Sequence, residues 1–511
     1  MTLHSRAPED LKIALGQCFW IGLNGTIAND PATIEIFKRF QPGGTILFQR
    51  NVESIGQVQK FNEDLQKRSL IPLFTAVDQE GGTVERLYQL IGSVPPAMGL
   101  AAAQSKRLIR RIHFTHARLL SGLGFNVNFT PVLDLALSAS DNGLGTRCFS
   151  DDPNTVIRCA HEVIRAHRKA GVLVSGKHFP GLGDTDCDSH LALPTVSRLW
   201  KQLEREDLKP YRKLLGELPF IMINHALYPE KNKDMPASLA PEIIDKLLLK
   251  KWNYSGLAIS DDLIMGAVSN LYNVPEAAEK ALLAGNHLFL ICLPEGVIKA
   301  YERILSRAKR NRALSEAIFR SSSRILAFKF QHLKTRHRKI DFPKEIELLE
   351  KYGARASHRS VTLISGVPAD GLPEKCTVYL PKTRWIQERG NAIEDYLSAA
   401  GVHISSYYFP VRLEEAEANR LAAQSASLMN IVVTANSWIH DGQKQLLQQL
   451  LDRGKSVNVI SGVYPVEPLP EGIKTVVATY WTSRTSLETA AKVLFGETKA
   501  AGKLPLRVTV R

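Results

Sequence analysis

One stretch of the sequence decides the fold: Val172-Leu173-Val174-Ser175-Gly176-Lys177-His178-Phe179, which continues as Pro180-Gly181-Leu182-Gly183-Asp184-Thr185-Asp186-Cys187-Asp188-Ser189-His190. Its first part is an apolar, β-branched run of the kind that forms a buried parallel strand, and it ends in two basic side chains. The loop that follows carries three Asp and a second His. Binding and catalytic residues concentrate in loops that a rigid scaffold supports, so we predict a functional loop, with a solvated turn as the structural alternative.

Short apolar runs of this kind recur in the N-terminal part of the chain, at residues 18–23, 45–48, 72–78, 125–134, 172–179, 220–227, 256–262 and 287–293. Segments with helical periodicity separate most of them, for example residues 154–170. Eight such alternations predict the α/β class and a (β/α)8 TIM barrel over residues 1–335. The carboxyl ends of the runs carry Asp78, Asp134, Lys177, His178, His225 and Asp261. Barrel enzymes place their active sites at that end, so the positions of these residues predict catalysis.

A second domain is expected because the chain, at 511 residues, is too long for one ordinary domain. A charged stretch at residues 334–343 has little core-forming pattern, and we predict a linker over residues 336–352. Further strand-like runs follow at residues 377–380, 404–409, 430–434, 457–461 and 475–478, with helical spacing between them. They predict a smaller parallel α/β sandwich over residues 353–511.

Two groups of side chains have the character of catalytic residues. Asp188 lies two residues before His190, so its carboxylate is able to fold back and accept the imidazole N–H, which fixes the tautomer and raises the basicity of the ring. Asp261 and Asp262 end the apolar run at residues 256–262, where a carboxylate nucleophile would be rigidly supported. Capping of a following helix is the structural alternative for either Asp.

These motifs resemble those of the bacterial β-N-acetylglucosaminidases of glycoside hydrolase family 3. Residues 177–190 are similar to the family pattern K-H-F-P-G-H-G-D-T-x-x-D-S-H, and residues 260–263 to S-D-D-L. Residues 78–86 resemble D-Q-E-G-G-x-V-x-R, residues 131–134 P-V-L-D, and residues 145–149 G-T-R-S-F, in the same order along the chain. The end of the chain, residues 494–505, resembles the close of the family's second domain. One departure is Leu182, which replaces a motif His, so any hydrogen bond of that His in the loop would be absent.

The resemblance implies a retaining glycoside hydrolase that releases terminal β-linked N-acetylglucosamine, with peptidoglycan fragments as the expected source. Such enzymes need one group that attacks the anomeric carbon and another, about 5 Å away, that protonates the leaving oxygen. Attack is assigned to Asp261, with Asp262 as the expected helix cap, and the acid/base role to His190 polarised by Asp188. The residues expected to bind the sugar are Asp78, Arg86, Arg147, Lys177 and His178. Salt bridges at the barrel rim are the structural alternative for the two arginines.

The second domain is expected to be structural or to wall the cleft. In the family's β-glucosidases this domain contributes a catalytic Glu. Here the pair formed by Asp188 and His190 already fills the acid/base role inside the barrel, and His225, near the site on an adjacent strand, is assigned no role.

Composition limits the partners. With 65 Lys and Arg against 51 Asp and Glu the net charge is +14, but the basic residues are dispersed without a nucleic-acid motif, so a solvated basic surface and no nucleic-acid partner are expected. Residues 1–10 lack the apolar core of a signal peptide and no run reaches transmembrane length, which predicts a cytoplasmic protein without a membrane span. The Cys, His and Asp residues lack ligand spacing, so neither a metal nor a cofactor is expected. The sequence indicates no oligomeric state.

Two other functions compete with hydrolysis. A neutral His would repel an incoming phosphate less than a Glu acid/base would, so phosphorolysis of β-N-acetylglucosaminides is the alternative reaction. The second alternative is a catalytically silent sugar-binding or regulatory protein, to which Leu182 gives slight support. The presence of both Asp261 and His190 argues against it.

Overall fold

The N-terminal part of the chain forms a closed barrel. A computed structural model describes residues 10–137, 142–333 and 339–507. The strands described up to residue 333 are β1 Phe19–Gly22, β2 Gly44–Leu47, β3 Phe74–Val77, β4 Gln79–Gly81, β5 Val84–Glu85, β6 Val127–Asn128, β7 Leu173–Phe179, β8 Phe220–Ile223, β9 Leu257–Asp262 and β10 Leu288–Ile291. All except the hairpin strands β4 and β5 pair in parallel, in the closed order β1-β10-β9-β8-β7-β6-β3-β2. The predicted TIM barrel is confirmed.

Helices surround the strands: α1 Leu11–Gln17, α2 Pro31–Arg39, α3 Ile55–Arg68, α4 Tyr88–Ile91, α5 Ala97–Ala102, α6 Lys106–Gly122, α7 Pro153–Ala170, α8 Trp200–Arg205, α9 Leu208–Leu214, a π-helical segment Glu242–Lys251, α10 Gly266–Ser269, α11 Val274–Ala284, α12 Val297–Ala308 and α13 Arg312–His332. Local sequence sets their bounds, as α7 illustrates. The Asp152 carboxylate accepts hydrogen bonds from the N–H groups of Asn154 and Thr155, and Pro153 occupies the first turn. The helix ends at Gly171, whose φ of 82° is unfavourable for other residues.

Aromatic side chains fill the amino-terminal end of the barrel. The Trp20 ring stacks on Phe74 at a centroid distance of 5.2 Å and meets the edge of Phe220 at 5.5 Å. Phe328 of α13 contacts both phenylalanine rings from outside, at 6.3 and 5.5 Å. Because apolar rings fill the amino-terminal end of the barrel, the polar residues that follow the strands lie at the opposite, carboxyl end.

The second domain is a six-stranded sheet with helices, built from β11 Thr362–Gly366, β12 Lys375–Pro381, β13 His403–Phe409, β14 Met429–Thr434, β15 Ser456–Ser461, β16 Thr475–Ala478, α14 Phe342–Ser360, α15 Arg384–Arg389, α16 Ala392–Ala399, α17 Glu415–Ala423, α18 Asp441–Asp452 and α19 Arg484–Leu494. The strand order is β11-β16-β15-β14-β12-β13. The five strands predicted from sequence are present and parallel, but β11 pairs antiparallel with β16. The apolar pattern misses β11 because most of its side chains at this sheet edge are exposed or only half-buried.

Part of the predicted linker is helical. Residues 336–338 lie outside the described residues, whereas residues 342–352 belong to α14, which packs along α6. Arg118 of α6 pairs with Glu345 at 3.0 Å, and Gly122 lies so close to Ile340 that an added Cβ would approach its Cγ1 to 2.7 Å. The domain boundaries given above stay a prediction.

An apolar cluster joins the second domain to the barrel, and its buried members are Met98, Ala102, Tyr464, Ala478, Tyr480 and Leu506. Close to it, the hydroxyl of Ser150 donates to the carbonyl of Pro505. In the part of the chain that the structure describes, no helix is both long and apolar enough to cross a membrane.

A buried lysine beneath the barrel offers a test of the core. Lys329 of α13 is 2% exposed, donates from Nζ to Gln17 Oε1 at 2.8 Å and lies 4.9 Å from the ring centroid of Phe74. Burial lowers the pKa of Lys329 well below its usual value. An ammonium in this position is held away from water, which opposes folding at neutral pH.

We expect Lys329→Met to raise the free energy of unfolding at about pH 7 by on the order of 1–2 kcal/mol. A lysine pKa that is lower in the folded than in the unfolded chain makes stability rise with pH between the two values, so the wild type should gain stability from about pH 7 to about pH 9, and the variant should lose that slope. Urea unfolding over this range measures both effects, with Lys60→Met, 66% exposed, as the control. A less stable variant with the wild-type slope would contradict the account.

Candidate active site

Polar side chains from several strands converge at the carboxyl end of the barrel. Asp78 follows β3, Glu80 lies in β4, Lys177 and His178 lie in β7, and Asp261 lies in β9. β3 and β9 begin with buried apolar residues and β7 is buried from Val174 onward, so the barrel fixes the backbone from which most of these polar residues project.

Glu80 is the centre of a buried ion group. Its Oε1 lies 2.6 Å from Lys177 Nζ, and its two oxygens accept hydrogen bonds from Arg147 Nη2 at 2.9 Å and Nε at 3.0 Å. Lys177 also donates to Asp78 Oδ1 at 2.8 Å. Burial alone would raise the pKa of Glu80, but Arg147 and Lys177 outweigh it and hold that pKa below its ordinary value. The carboxylate therefore stays ionised and orients both cations.

Asp134 positions His178 and the loop after it. Its Oδ2 accepts hydrogen bonds from the backbone N–H of His178 at 3.0 Å and from His178 Nδ1 at 2.6 Å, while its Oδ1 accepts from the N–H of Leu182 at 2.7 Å. The Leu182 side chain is 5% exposed and packs in the barrel core. The loop is thus held at this point through the Leu182 backbone, without the side-chain bond that a His would make.

Asp188 and His190 form the predicted pair. Asp188 Oδ1 accepts from His190 Nδ1 at 2.8 Å and from the His190 backbone N–H at 2.9 Å. The segment after β9 anchors this pair, because the N–H of Ala267 donates to the Ser189 carbonyl at 3.1 Å and that of Gly266 donates to the His190 carbonyl at 3.2 Å. Gly266 fits here because an added Cβ would lie 2.8 Å from the His190 oxygen.

Hydrogen bonding sets the protonation of this pair. The hydrogen bond from His190 to Asp188 raises the pKa of His190, although burial opposes the change. The negative charges of Asp188 and Asp261 raise that pKa further. The same bond lowers the pKa of Asp188. The His190 side chain is 67% exposed, so its ring is open to exchange protons with an approaching molecule or with water.

Asp261 and Asp262 differ in protonation although they are adjacent. Burial would raise the pKa of Asp261, but the neighbouring His178 and the backbone N–H of Asp262 outweigh it and leave that pKa below its ordinary value. Burial raises the pKa of Asp262 to about 6. Asp261 is therefore the more readily ionised carboxylate of the two.

Asp262 was expected to cap a helix, and this expectation is wrong. Its Oδ1 accepts from the N–H groups of Cys292 at 3.1 Å and Ile264 at 3.3 Å, and the next helix begins only at Gly266. Asp262 instead ties the end of β9 to the residue after β10.

His225 is structural. Its Nε2 lies 2.9 Å from the carbonyl oxygen of Asp262, which only accepts, so Nε2 carries the proton and donates. Nδ1 then accepts from the Ser238 hydroxyl at 2.7 Å. Burial lowers the pKa of His225, in keeping with this neutral form.

The structure brings most of the predicted site residues together. Asp78, Arg147, Lys177 and His178 join one polar group, in which Arg147 Nη2 also lies 3.5 Å from His178 Nε2. Arg86 is set apart from these contacts: its guanidinium carbon lies 5.8 Å from the ring centroid of Phe48, and its Nε is buried without a hydrogen-bond partner among the described residues. The sugar-binding roles of all five residues stay predictions.

Glu80 was not among the predicted site residues, and Asp134 was placed at the catalytic end of the barrel without a role, although both lie in motifs that the sequence shows. The signal for Asp134 was an acidic side chain at the carboxyl end of a strand run, and that for Glu80 was its place two residues after such an end. Their importance comes from partners distant in sequence, which spacing alone does not reveal. Within the described ranges, no group of three or more His, Cys, Asp or Glu is arranged to hold a metal ion.

Known proteins are similar to this chain in sequence and in fold. A profile of the glycosyl hydrolase family 3 N-terminal domain matches residues 16–328. A protein named beta-hexosaminidase from Tolumonas auensis is 36% identical over 263 residues, which cover 50% of this chain and 78% of that protein. Another of that name from Nitrosomonas eutropha is 35% identical over 257 residues, covering 49% and 73%.

The second domain has a solved counterpart as well. The structure of a glycoside hydrolase family 3 β-N-acetylglucosaminidase from a Paenibacillus species is 29% identical, with a TM-score of 0.87 over 98% of this chain and 99% of that one. The family profile itself spans more than half of the chain, including every barrel strand. By both its barrel sequence and its architecture, this chain belongs to glycosyl hydrolase family 3.

Proposed function

We propose that the protein is a retaining β-N-acetylglucosaminidase that releases terminal β-linked N-acetylglucosamine. The observation that carries this proposal is a pair of backbone hydrogen bonds. They attach the loop that carries Asp188 and His190 to Gly266 and Ala267, a few residues after Asp261 and Asp262. An ionised carboxylate and a histidine with a raised pKa are the two groups that the reaction needs, and these contacts hold their backbones together. The similarity to proteins named beta-hexosaminidase and to the Paenibacillus β-N-acetylglucosaminidase supports the same activity.

The reaction proceeds in two steps. In the first, Asp261 attacks the anomeric carbon while the protonated His190 gives its proton to the departing glycosidic oxygen, so a glycosyl ester forms as the original bond breaks. In the second, the now neutral His190 removes a proton from water, which attacks the anomeric carbon and releases Asp261. Asp188 stabilises the charged imidazole that begins and ends the cycle.

Sugar recognition falls to the buried polar group. Asp78 and Glu80 orient the Lys177 ammonium, and Glu80 orients the Arg147 guanidinium, so each donor is fixed before a ligand arrives. Fixed donors discriminate strongly, because a ligand that lacks the matching acceptor leaves buried polar atoms unpaired. Asp78, Lys177, His178, Arg147 and Arg86 are the residues we assign to the sugar.

Muropeptides are the substrates that we favour among β-N-acetylglucosaminides. They carry carboxylates beyond the N-acetylglucosamine ring, and a net charge of +14 attracts acidic molecules. The cytoplasmic location expected from the N-terminal sequence stays a prediction.

Selectivity for the acetamido group is the first test. We expect kcat/KM for p-nitrophenyl β-N-acetylglucosaminide to exceed that for the β-glucoside by about a thousandfold or more, because the glucoside leaves donors in the site unpaired. Omitting phosphate should leave the rate unchanged, since water is the acceptor. Comparable rates on both glycosides would contradict the substrate, and a phosphate requirement would contradict hydrolysis.

The acid/base pair predicts how rates depend on the leaving group. His190→Ala should slow substrates with poor leaving groups by about 100- to 10,000-fold and activated aryl glycosides much less, because the latter depart without protonation. Asp188→Asn should give a milder form of the same pattern. It should also move the alkaline limb of the kcat profile to lower pH, because the bond that raises the His190 pKa is weakened.

Asp186→Asn is the matched control for this series. It lies in the same loop, where its carboxylate accepts from the Thr195 N–H at 3.1 Å instead of from His190. It should keep the wild-type leaving-group dependence and pH profile. Equal losses on good and poor leaving groups in His190→Ala would mean that His190 binds the sugar and carries no proton.

A further inference from the structure

We propose that Arg384 of the second domain is a positioning residue for the sugar-binding group of the barrel. It holds the β4–β5 hairpin in place, and that hairpin carries Glu80. The inference rests on the proposed function and assigns the second domain a part in the reaction that requires no acid/base residue of its own.

Arg384 clamps the hairpin by charge and by stacking. Its Nη2 donates to Glu85 Oε2 at 3.0 Å and to the Gly82 carbonyl at 3.1 Å. The guanidinium carbon lies 4.0 Å from the ring centroid of Tyr88 and 4.7 Å from that of Trp385. A planar cation held by two acceptors and two aromatic rings has little freedom to move.

The second domain holds Arg384 rigidly. β12 ends at Pro381, and α15 begins at Arg384 only three residues later. The Glu388 carboxylate, one turn along α15, accepts from the Tyr88 hydroxyl at 3.0 Å. The helix α15 therefore contacts the barrel domain through two side chains, those of Arg384 and Glu388.

The β4–β5 hairpin connects the contacts of Arg384 to the position of Glu80. Glu85 is opposite Gln79 in the strand pairing, and its fully buried side chain also accepts from the Val94 N–H at 2.8 Å. From the barrel side, Asn128 binds the backbone of Gln79 with both side-chain atoms, at 3.0 Å each. Glu80, the next residue, is thus fixed between a barrel strand and the second domain.

Loss of the Arg384 guanidinium would displace Glu80 from its partners. Burial raises the pKa of Glu85 to about 7 even with Arg384 beside it, so without the guanidinium the buried carboxyl keeps its bond from the Val94 N–H but has lost its cationic partner. A shift of the hairpin moves Glu80 away from Lys177 and Arg147, to which it is bonded at 2.6–3.0 Å. Small displacements of positioning groups lower catalytic efficiency by about a hundredfold.

The test compares Arg384→Ala with Arg484→Ala, a control in the same domain. Arg484 is 46% exposed, pairs with Asp395 and donates to the Arg389 carbonyl at the end of α15, so its loss affects the same helix without removing the bonds from Arg384 to the hairpin. We expect Arg384→Ala to lower kcat/KM for p-nitrophenyl β-N-acetylglucosaminide by about 10- to 100-fold, mainly through KM. The pH profile and leaving-group dependence, which His190 sets, should stay those of the wild type, and Arg484→Ala should match the wild type throughout.

Added guanidinium ion separates positioning from general damage. At concentrations too low to unfold the protein, it should restore part of the lost kcat/KM in Arg384→Ala and leave wild type and Arg484→Ala unchanged. Arg384→Lys keeps the charge but lacks the planar guanidinium, so its kcat/KM should lie between those of the wild type and Arg384→Ala. If Arg384→Ala does not fold, Arg384→Lys takes its place in the test.

Three results would overturn the inference: wild-type kcat/KM in the Arg384 variants, an equal loss in Arg484→Ala, or a loss that guanidinium does not reverse. Wild-type turnover is measured first. Its absence would contradict the proposed function and this inference with it, whereas an active wild type beside equally active Arg384 variants would contradict the positioning role alone.

Discussion

The bonding of one buried carboxylate, Glu80, to two cations is the constraint on which the site depends. Lys177 and Arg147 come from different parts of the barrel, and both are nearly removed from water. Two cations at such positions repel each other unless an anion lies between them. Because Glu80 supplies that anion, removing it would leave Arg147 without its carboxylate partner and Lys177 with Asp78 alone, which is more destabilising than losing an exposed salt bridge.

The site has two halves with different physical character. The sugar-binding half is buried, ionic and fixed by Glu80 and Asp134, whereas the Asp188–His190 pair is exposed and held mainly through its backbone. Rigid donors favour selectivity, and an exposed imidazole favours proton exchange with water. The burial of each half therefore matches the role that we assign to it.

Sequence reasoning reached the barrel, the second sheet and the Asp188–His190 pair because each rests on local pattern: apolar runs, helical spacing, or two residues close in the chain. It missed the antiparallel strand β11, whose exposed side chains carry little apolar signal. It also missed Glu80 and Arg384, and it gave Asp134 no role, because their partners are distant in sequence and meet only after folding. Asp262 was misassigned for the same reason, since its carboxylate accepts from the N–H of Cys292, just after β10, instead of capping a helix.

The most direct measurement locates the covalent intermediate. A 5-fluoro N-acetylglucosaminyl donor should slow release of the sugar from the enzyme, and mass spectrometry of the digested protein should find the label on a peptide at Asp261. That result is predicted because Asp261 is the first Asp of the S-D-D-L motif, whereas the Asp262 carboxylate is occupied by the N–H groups of Cys292 and Ile264. A label on Asp262 or Asp134, or active enzyme that never becomes labelled, would contradict Asp261 as the nucleophile.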